Sequence, residues 1–367
     1  MPELPEVERA RRLVEEHCAG LQVKRILARE AGGGPRHGQF DDLVCQSSES
    51  EMHHLKEEKL VSARRKGKQL WLEFSNLNFL VHFGMTGALL VKGVAKPTFK
   101  EFKIDDSSWP PKFAKFQIIF SGGICLAFCD PRRLGRCSIM DQCPTLLPPV
   151  SLLAPDPTTA EFKFKLMADK LRTTGGSIKA LLLDQQAVVS GVGNWIADEV
   201  LYQARIHPAS SARSLSQEQA HALYKAIRFV TSFACSVNAE SSRFPKEWLF
   251  HYRWGKGRNG TTIPGVGCVS FETIGGRTTA IVRSVQRKGA NTVAGQHRAQ
   301  EKSSSQKPNS TKTSIALAKV CKRAHSTDAS KRKRERDKAQ TTGTARRSLR
   351  LRKAKEAKGQ KRQKIQK

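Results

Sequence analysis

The sequence predicts an α+β protein: an N-terminal β-sandwich with one N-terminal helix, then a helical domain, a small β-hairpin and a disordered basic tail. Three observations predict it. Between Lys68 and Asp130, apolar residues recur with the period of two that half-buried strands require. The proline-rich stretch "CPTLLPPVSLLAPDP" then marks a change to helical periodicity, which runs from Thr159 to about Asn238. From Lys288 onward, 25 Lys and Arg stand against 5 Asp and Glu, a net +20 of the chain's +31, without one Phe, Trp or Tyr. Such a segment cannot bury enough apolar surface to offset its ordering entropy. The expected boundaries are 1–140 for the sandwich, 141–244 for the helical domain, 245–287 for the hairpin region and 288–367 for the tail.

The first element is read from "MPELPEVERARRLVEEHCAG". Pro5 suits the first helical position, Glu6 and Glu8 favour the positive end of the helix dipole, and Gly20 can end the helix. Val7, Ala10, Val14 and Cys18 fall on one apolar face. Pro2 and Glu3 lie ahead of the helix, which does not need them. "KQLWLEF", the turn "SNLN" and "FLVHFGMTGALLV", broken by Gly84 and Gly87, read as strands, and "FAKFQIIF", "SGG" and "ICLAFCD" as a hairpin. The helices are "SIKALLLDQQAVV", "NWIADEVLYQA" and "SQEQAHALYKAIRFVTSFACSV". Last, "CVSFETI" and "TTAIVRSVQ" form a hairpin with its tip at Gly275–Thr278.

Charge narrows the class of partner. Residues 1–287 retain a net +11, so a basic globular part precedes a more basic tail. A polyanion such as DNA or RNA fits, because each phosphate neutralised releases condensed counterions. A membrane does not fit, since no apolar run is long enough to span one and the start lacks the pattern of a secretory signal. Nine scattered cysteines read as reduced thiols. Cys125, Cys129, Cys137 and Cys143 lack the paired C-x₂-C spacing of a zinc clip, and core packing is the expected role for those in the strand-like run.

Three motifs can carry chemistry. In "VVSGVGNWIADEVLYQA", Gly191 and Gly193 allow close backbone approach, Asn194 is a good N-cap, and free N–H groups at the helix start would suit a phosphate. "DPRRLGR" is a turn that can project Arg132 toward base edges and Leu134 as an apolar wedge; solvated arginines on an ordinary turn are the alternative. Pro2 offers the sharpest chemistry. A terminal amine has a pKa of roughly 7.7–8.0 and is a better populated nucleophile than lysine. A secondary amine forms with a sugar aldehyde a cationic iminium that acidifies the neighbouring carbon, and Glu3 could then move the proton. Removal of Met1 is required.

Together "PELPEVE", "RKGKQLWLEF", "HFGMTG", "DPRRLG" and "VVSGVGNWIADE" resemble the formamidopyrimidine-DNA glycosylase and endonuclease VIII family, in family order from Pro2 to about Val285. The resemblance implies a base-excision repair enzyme with N-glycosylase and abasic-site lyase activity, working on damaged double-stranded DNA as a monomer without a cofactor. It makes Pro2 the nucleophile at the sugar C1′, Glu3 the acid/base, Glu6 a member of the same site, and Lys68 the assistant to base departure, with Lys66 an adjacent alternative. Met85, Arg132 and Leu134 would fill the void left by the flipped nucleotide. His82, Lys179 and Asn194 would lie near the phosphates, the last two in a helix-two-turn-helix motif. Outside the resemblance, His82 reads as a core histidine and Met85 as a core filler.

Bacterial members of that family carry a terminal zinc finger with two C-x₂-C pairs, whereas only Cys268 and Cys321 lie beyond residue 245 here. The hairpin therefore resembles a metal-free version of that finger, with Arg277 assisting δ-elimination. Leu134 stands where those bacterial enzymes usually have phenylalanine, and it cannot stack as a ring does. The zincless hairpin and basic tail look most like the plant members. "KRKRERDK" and "ARRSLRLRK" fit nuclear import or extra DNA affinity, with the nucleus the expected location. Oxidised purines are the expected substrates. The other readings are an endonuclease VIII-like preference for oxidised pyrimidines and a non-catalytic chromatin protein.

Overall fold

The computed structural model describes residues 2–95, 108–256 and 261–286, so the tail expected over 288–367 lies outside the described residues. Helix α1 (Leu4–Cys18) buries Val7, Ala10, Val14 and Cys18, the stripe its spacing predicts. It begins one residue earlier than expected, so Pro5 is its second residue, where a missing N–H still costs no helical bond. It also stops at Cys18, two residues before Gly20.

Then come β1 (Val23–Leu27), the short helix α2 (Glu49–Met52), β2 (Leu60–Lys66), β3 (Gln69–Phe74), β4 (Asn78–His82), β5 (Ala88–Val91), β6 (Ala114–Phe120), β7 (Cys125–Cys129) and β8 (Arg136–Met140). They form two four-stranded antiparallel sheets, ordered β1-β6-β7-β5 and β2-β3-β4-β8. Inward-facing residues of both sheets share one core. Phe116 anchors it, with its ring centroid 5.2 Å from Phe79 across the sandwich and 5.6 Å from Phe128 beside it. Cys129 and Cys137 are buried, Cys125 is half-buried and Cys143 is exposed.

Four helices follow: α3 (Phe164–Thr173), α4 (Ile178–Leu183), α5 (Asn194–Gln203) and α6 (Gln217–Ser236). Helix α4 is shorter than "SIKALLLDQQAVV" suggested. Its chain turns extended at Asp184, and the Gln185 side chain bonds the Gly191 N–H and the Val192 carbonyl in the connection to α5. Trp195, Ile196, Val200, Leu223, Ile227 and Val230 centre the helical core. Strands β9 (Thr262–Ile263), β10 (Gly267–Ile274) and β11 (Arg277–Val282) make a small sheet. The hairpin tip is tighter than expected: Gly275 and Gly276, with φ of 60° and 71°, form the turn alone, and Arg277 already pairs with Ile274. Two successive positive φ angles are what a two-residue hairpin turn of right-handed strand twist requires.

Phe116→Ala removes the ring shared by both aromatic contacts and leaves a cavity. The expected loss is about 3–5 kcal/mol of unfolding free energy in a urea titration, and a loss under 1 kcal/mol would mean that the two sheets do not share this core.

Candidate active site

The chain's start is held by another helix. Glu3, only 2 % exposed, is the N-cap residue of α1, and its own N–H donates to the Glu6 carboxylate at 3.0 Å. Its side chain crosses to the start of α5: Oε2 accepts the N–H groups of Gly193 (2.8 Å) and Ile196 (3.1 Å), and Oε1 that of Trp195 (2.9 Å). A carboxylate on the free amides of a helix N-terminus is favoured by hydrogen bonding and by the dipole. The Leu4 N–H adds a bond to the Gly191 carbonyl at 3.1 Å.

This corrects two expectations about "GVGN". Gly193, not Asn194, is the N-cap of α5, and the amides proposed for a phosphate are occupied by Glu3. The glycines do admit a close partner, but it is the chain's own start. A Cβ on Gly191 would lie 2.5 Å from Leu4 Cδ1, and one on Gly193 would fall on the Glu3 carboxyl carbon.

Around this anchor the expected catalytic residues converge. Pro2 is buried, and with Glu6 it lines a cavity of about 660 Å³ bounded by α1, Phe83, Leu89 and the Glu240–Ser242 turn. Lys68, in the β2–β3 turn, donates to the Val192 carbonyl at 2.9 Å. Burial pushes the Lys68 ammonium below the usual lysine range and Arg277 adds to this, while the charges of Glu3 and Glu6 oppose it. Burial raises the Glu3 carboxyl, against the Lys68 charge and the N–H donors of Trp195 and Ile196. Glu3, Glu6, Lys68 and Arg277 thus belong to one electrostatic neighbourhood, and Pro2 directly precedes Glu3 in the chain. His82 stands at its edge, its imidazole pushed below the usual histidine range by burial and by the charges of Lys68 and Arg136, against Asp130.

Arg277 reaches that neighbourhood because β11 is strapped to the helices. Asn194 Nδ2 donates to the Thr278 carbonyl at 2.9 Å. Lys179, fully buried, donates to Asp198 Oδ1 (2.5 Å) and Thr279 Oγ1 (2.7 Å). Asp198 Oδ2 accepts Arg253 Nη2 (3.0 Å) and the Ala280 N–H (3.2 Å). Lys179, expected beside the phosphates, thus has its ammonium buried in an ion pair, and the Asn194 amide donates to the hairpin.

The void-filling candidates sit on two loops in contact. The Gly84 backbone packs on the Leu134 carbonyl. Asp130, fully buried, accepts the Thr86 hydroxyl (2.6 Å), the Arg132 N–H (3.2 Å) and the Gly135 N–H (2.7 Å), so one carboxylate joins the Met85 loop to the Arg132–Leu134 loop. Arg133 clamps Asp41 through Nε and Nη2, at 2.8 and 2.9 Å. Arg132 and Leu134 are left exposed and Met85 half-buried.

Sequence reasoning missed four supporting acids: Asp41, Asp130, Asp198 and Asp156. Asp156 Oδ2 accepts Arg65 Nη1 (2.5 Å) and the Gly67 N–H (2.7 Å), fixing the turn that presents Lys68. One signal was present, an acidic pair, Asp198–Glu199, within the otherwise apolar "NWIADEVL". Among the described residues, no three His, Cys, Asp or Glu side chains gather to hold a metal ion, and no helix is long and apolar enough to cross a membrane.

A β-sandwich whose N-terminal helix docks on a helix-two-turn-helix domain through a buried carboxylate is the architecture of a base-excision DNA glycosylase. Residues 1–137 match the model of the formamidopyrimidine-DNA glycosylase N-terminal domain, and residues 153–246 that of its H2TH domain. The chain is 41 % identical over 292 residues to a formamidopyrimidine-DNA glycosylase of Arabidopsis thaliana, covering 78 % of this chain and 71 % of that one. Its fold matches Lactococcus lactis Fpg bound to DNA with an abasic site (TM-score 0.61, 25 % identity, 78 % of this chain and 100 % of that one). A variant of the same bacterial protein bound to Fapy-dG DNA matches to the same extent. The chain belongs to the formamidopyrimidine-DNA glycosylase family.

Glu199 gives a pH signature. It is fully buried, accepts the Phe250 N–H at 2.8 Å, and burial raises its pKa to about 7 from 4.5. An acid whose folded pKa is raised contributes stability fully below the unfolded value and loses it as pH rises through the folded one. Glu199→Gln should therefore gain stability relative to the parent protein between about pH 4.5 and 7, read from urea midpoints. A constant difference across that window would exclude the shift.

Proposed function

We propose that the chain, once Met1 is removed, excises oxidised purines from duplex DNA with Pro2 as nucleophile and then nicks the strand. The family is that of base-excision glycosylases, and its members in complex carry Fapy-dG or abasic-site DNA. The Pro2 nitrogen attacks C1′, the bond from C1′ to the base breaks, and the base leaves with that electron pair and takes a proton. Loss of the amine proton and opening of the sugar give the iminium. Withdrawal of a C2′ proton then expels the 3′ phosphate by β-elimination, and a further proton loss expels the 5′ phosphate by δ-elimination.

The carrying observation is the Glu3 carboxylate on the three amides of α5, which fixes a proline beside a cleft where a free terminus would fray. Burial keeps Glu3 protonated to higher pH than an exposed carboxyl, which suits it to give a proton to the sugar ring oxygen. Lys68, whose burial favours the neutral amine, suits proton transfer during base departure and elimination. Glu6 shares the Pro2 cavity, and Arg277, exposed at the hairpin end, suits the outgoing phosphate. His82 is read as a phosphate contact, and Met85, Arg132 and Leu134 as the wedge that replaces the flipped nucleotide. Lys179 and Asn194 act at one remove, by seating the hairpin. The two eliminations make the enzyme multifunctional, the hairpin stands in for a finger without zinc, and the basic tail accords with a nuclear location.

Borohydride trapping on abasic-site DNA tests the chemistry. The Met1-processed protein should form a reduced covalent adduct, and Pro2→Gly should lower its yield at least about 100-fold. Binding without an adduct would leave only the chromatin-protein reading. Arg277→Ala should still form the adduct but shift the products from δ- toward β-elimination, read as 3′ ends on a sequencing gel. Faster release of oxidised pyrimidines than of formamidopyrimidine or 8-oxoguanine would overturn the choice of lesion.

A further inference from the structure

Outside the reaction cleft, the strand register of the second sheet lines up a row of polar side chains. Lys66 pairs with Gln69, Gln69 with His82, and His82 with Arg136, so the four lie side by side across β2, β3, β4 and β8. With adjacent strands about 4.8 Å apart, the row is roughly 14 Å long. The neighbouring register pairs Leu70, Val81 and Cys137, which are buried in the sandwich core, so the polar row occupies the outer face. Farther along that face, Trp71 and Leu80 are covered by Val150 and Met140. The covering stops short of the polar row, leaving a pocket of about 260 Å³ lined by Gln46, Gln69, His82, Arg136 and Ser138, with Pro148 among its walls.

The pocket's hydrogen-bonding inventory is lopsided toward donors. His82 Nδ1 accepts the Gly84 N–H at 3.3 Å, so in the neutral ring Nε2 carries the proton. Arg136 spends only Nη1, on the carbonyls of Gly135 (2.6 Å) and Arg133, and its Nε and Nη2 have no protein acceptor among the described residues. Gln69 Oε1 is buried without a partner; turning that amide over brings its NH₂ to the same place as a further donor. Gln46 and Ser138 add an amide and a hydroxyl. A site with a guanidinium and several neutral donors matches a phosphodiester oxygen pair.

We infer that Arg136, Gln69 and His82 form a seat for a backbone phosphate of the bound duplex, on the outer sheet face beyond the reaction cleft. This deepens the DNA-binding reading above and rests on it. The seat begins where the loop bearing Arg132 and Leu134 ends, since Arg136 follows that loop directly and holds two of its carbonyls. A phosphate here would register the duplex against the wedge without reading sequence.

The test is the salt dependence of binding to a lesion-bearing duplex, measured by fluorescence anisotropy with the full chain. Arg136→Gln should weaken binding several-fold at moderate salt and reduce the slope of log K against log salt by about one. Arg136→Lys should keep the slope. Gln69→Glu, which touches neither loop carbonyl, should weaken binding more by placing a negative charge in the seat. Arg64→Gln removes a charge paired with Glu73 on the same sheet and should leave the slope unchanged. A parent-like slope in Arg136→Gln together with parent-like affinity in Gln69→Glu would overturn the seat. Should Arg136→Gln fail to fold, Gln69→Glu alone decides. Failure of the borohydride adduct in the parent protein would defeat the catalytic reading and leave these binding data standing.

Discussion

The structure depends on one carboxylate set on one helix end. Glu3 leaves the start of α1, crosses to the start of α5 and takes up three of the amides that helix geometry leaves without internal partners. Each donor favours the charged carboxylate and so offsets part of the cost of burying it, burial still leaving the Glu3 carboxyl raised. The terminus is tied to the helical domain by these bonds and by the Leu4 N–H on the Gly191 carbonyl, and Glu6 closes the arrangement by accepting the N–H of Glu3. Pro2 inherits its position from that pair.

Buried acids recur as fasteners under each working part. Asp130 joins the two loops that bear Met85 and Leu134, Asp156 ties down the turn before Lys68, and Asp198 receives Lys179, Arg253 and the Ala280 amide. Truncating one partner of such a set strands a buried charge, which costs more than the intact pair contributes. Lys115, buried between Glu30 and Asp41, extends the same logic to the Arg133 clamp. The tips above these fasteners, Arg132, Leu134 and Arg277, are left exposed.

What was legible in the sequence follows from range. The strand alternation of "KQLWLEF" and the apolar stripe of α1 depend on neighbours a few positions apart and read correctly, whereas the ends of α1 and α4 and the extent of the hairpin tip did not. The Glu3 contacts span 190 residues or more, and a lone acid shows no periodicity. "GVGN" illustrates the ambiguity: amides at a helix start accept a phosphate or a carboxylate alike, and sequence does not say which arrives first. Lys179 was placed near the phosphates by resemblance, and its buried partner, 19 positions on, leaves no mark in local pattern.

Helix α5 now carries a further meaning. Its first turn grips Glu3, and the side chains of Asn194 and Asp198, four positions apart on that helix, grip β11. The Pro2 end of the chain and the Arg277 end of the hairpin are therefore both measured from a single rigid rod, much as two tools are clamped to one bed. Whatever moves elsewhere, the separation between those two ends is set by a helix of ten residues.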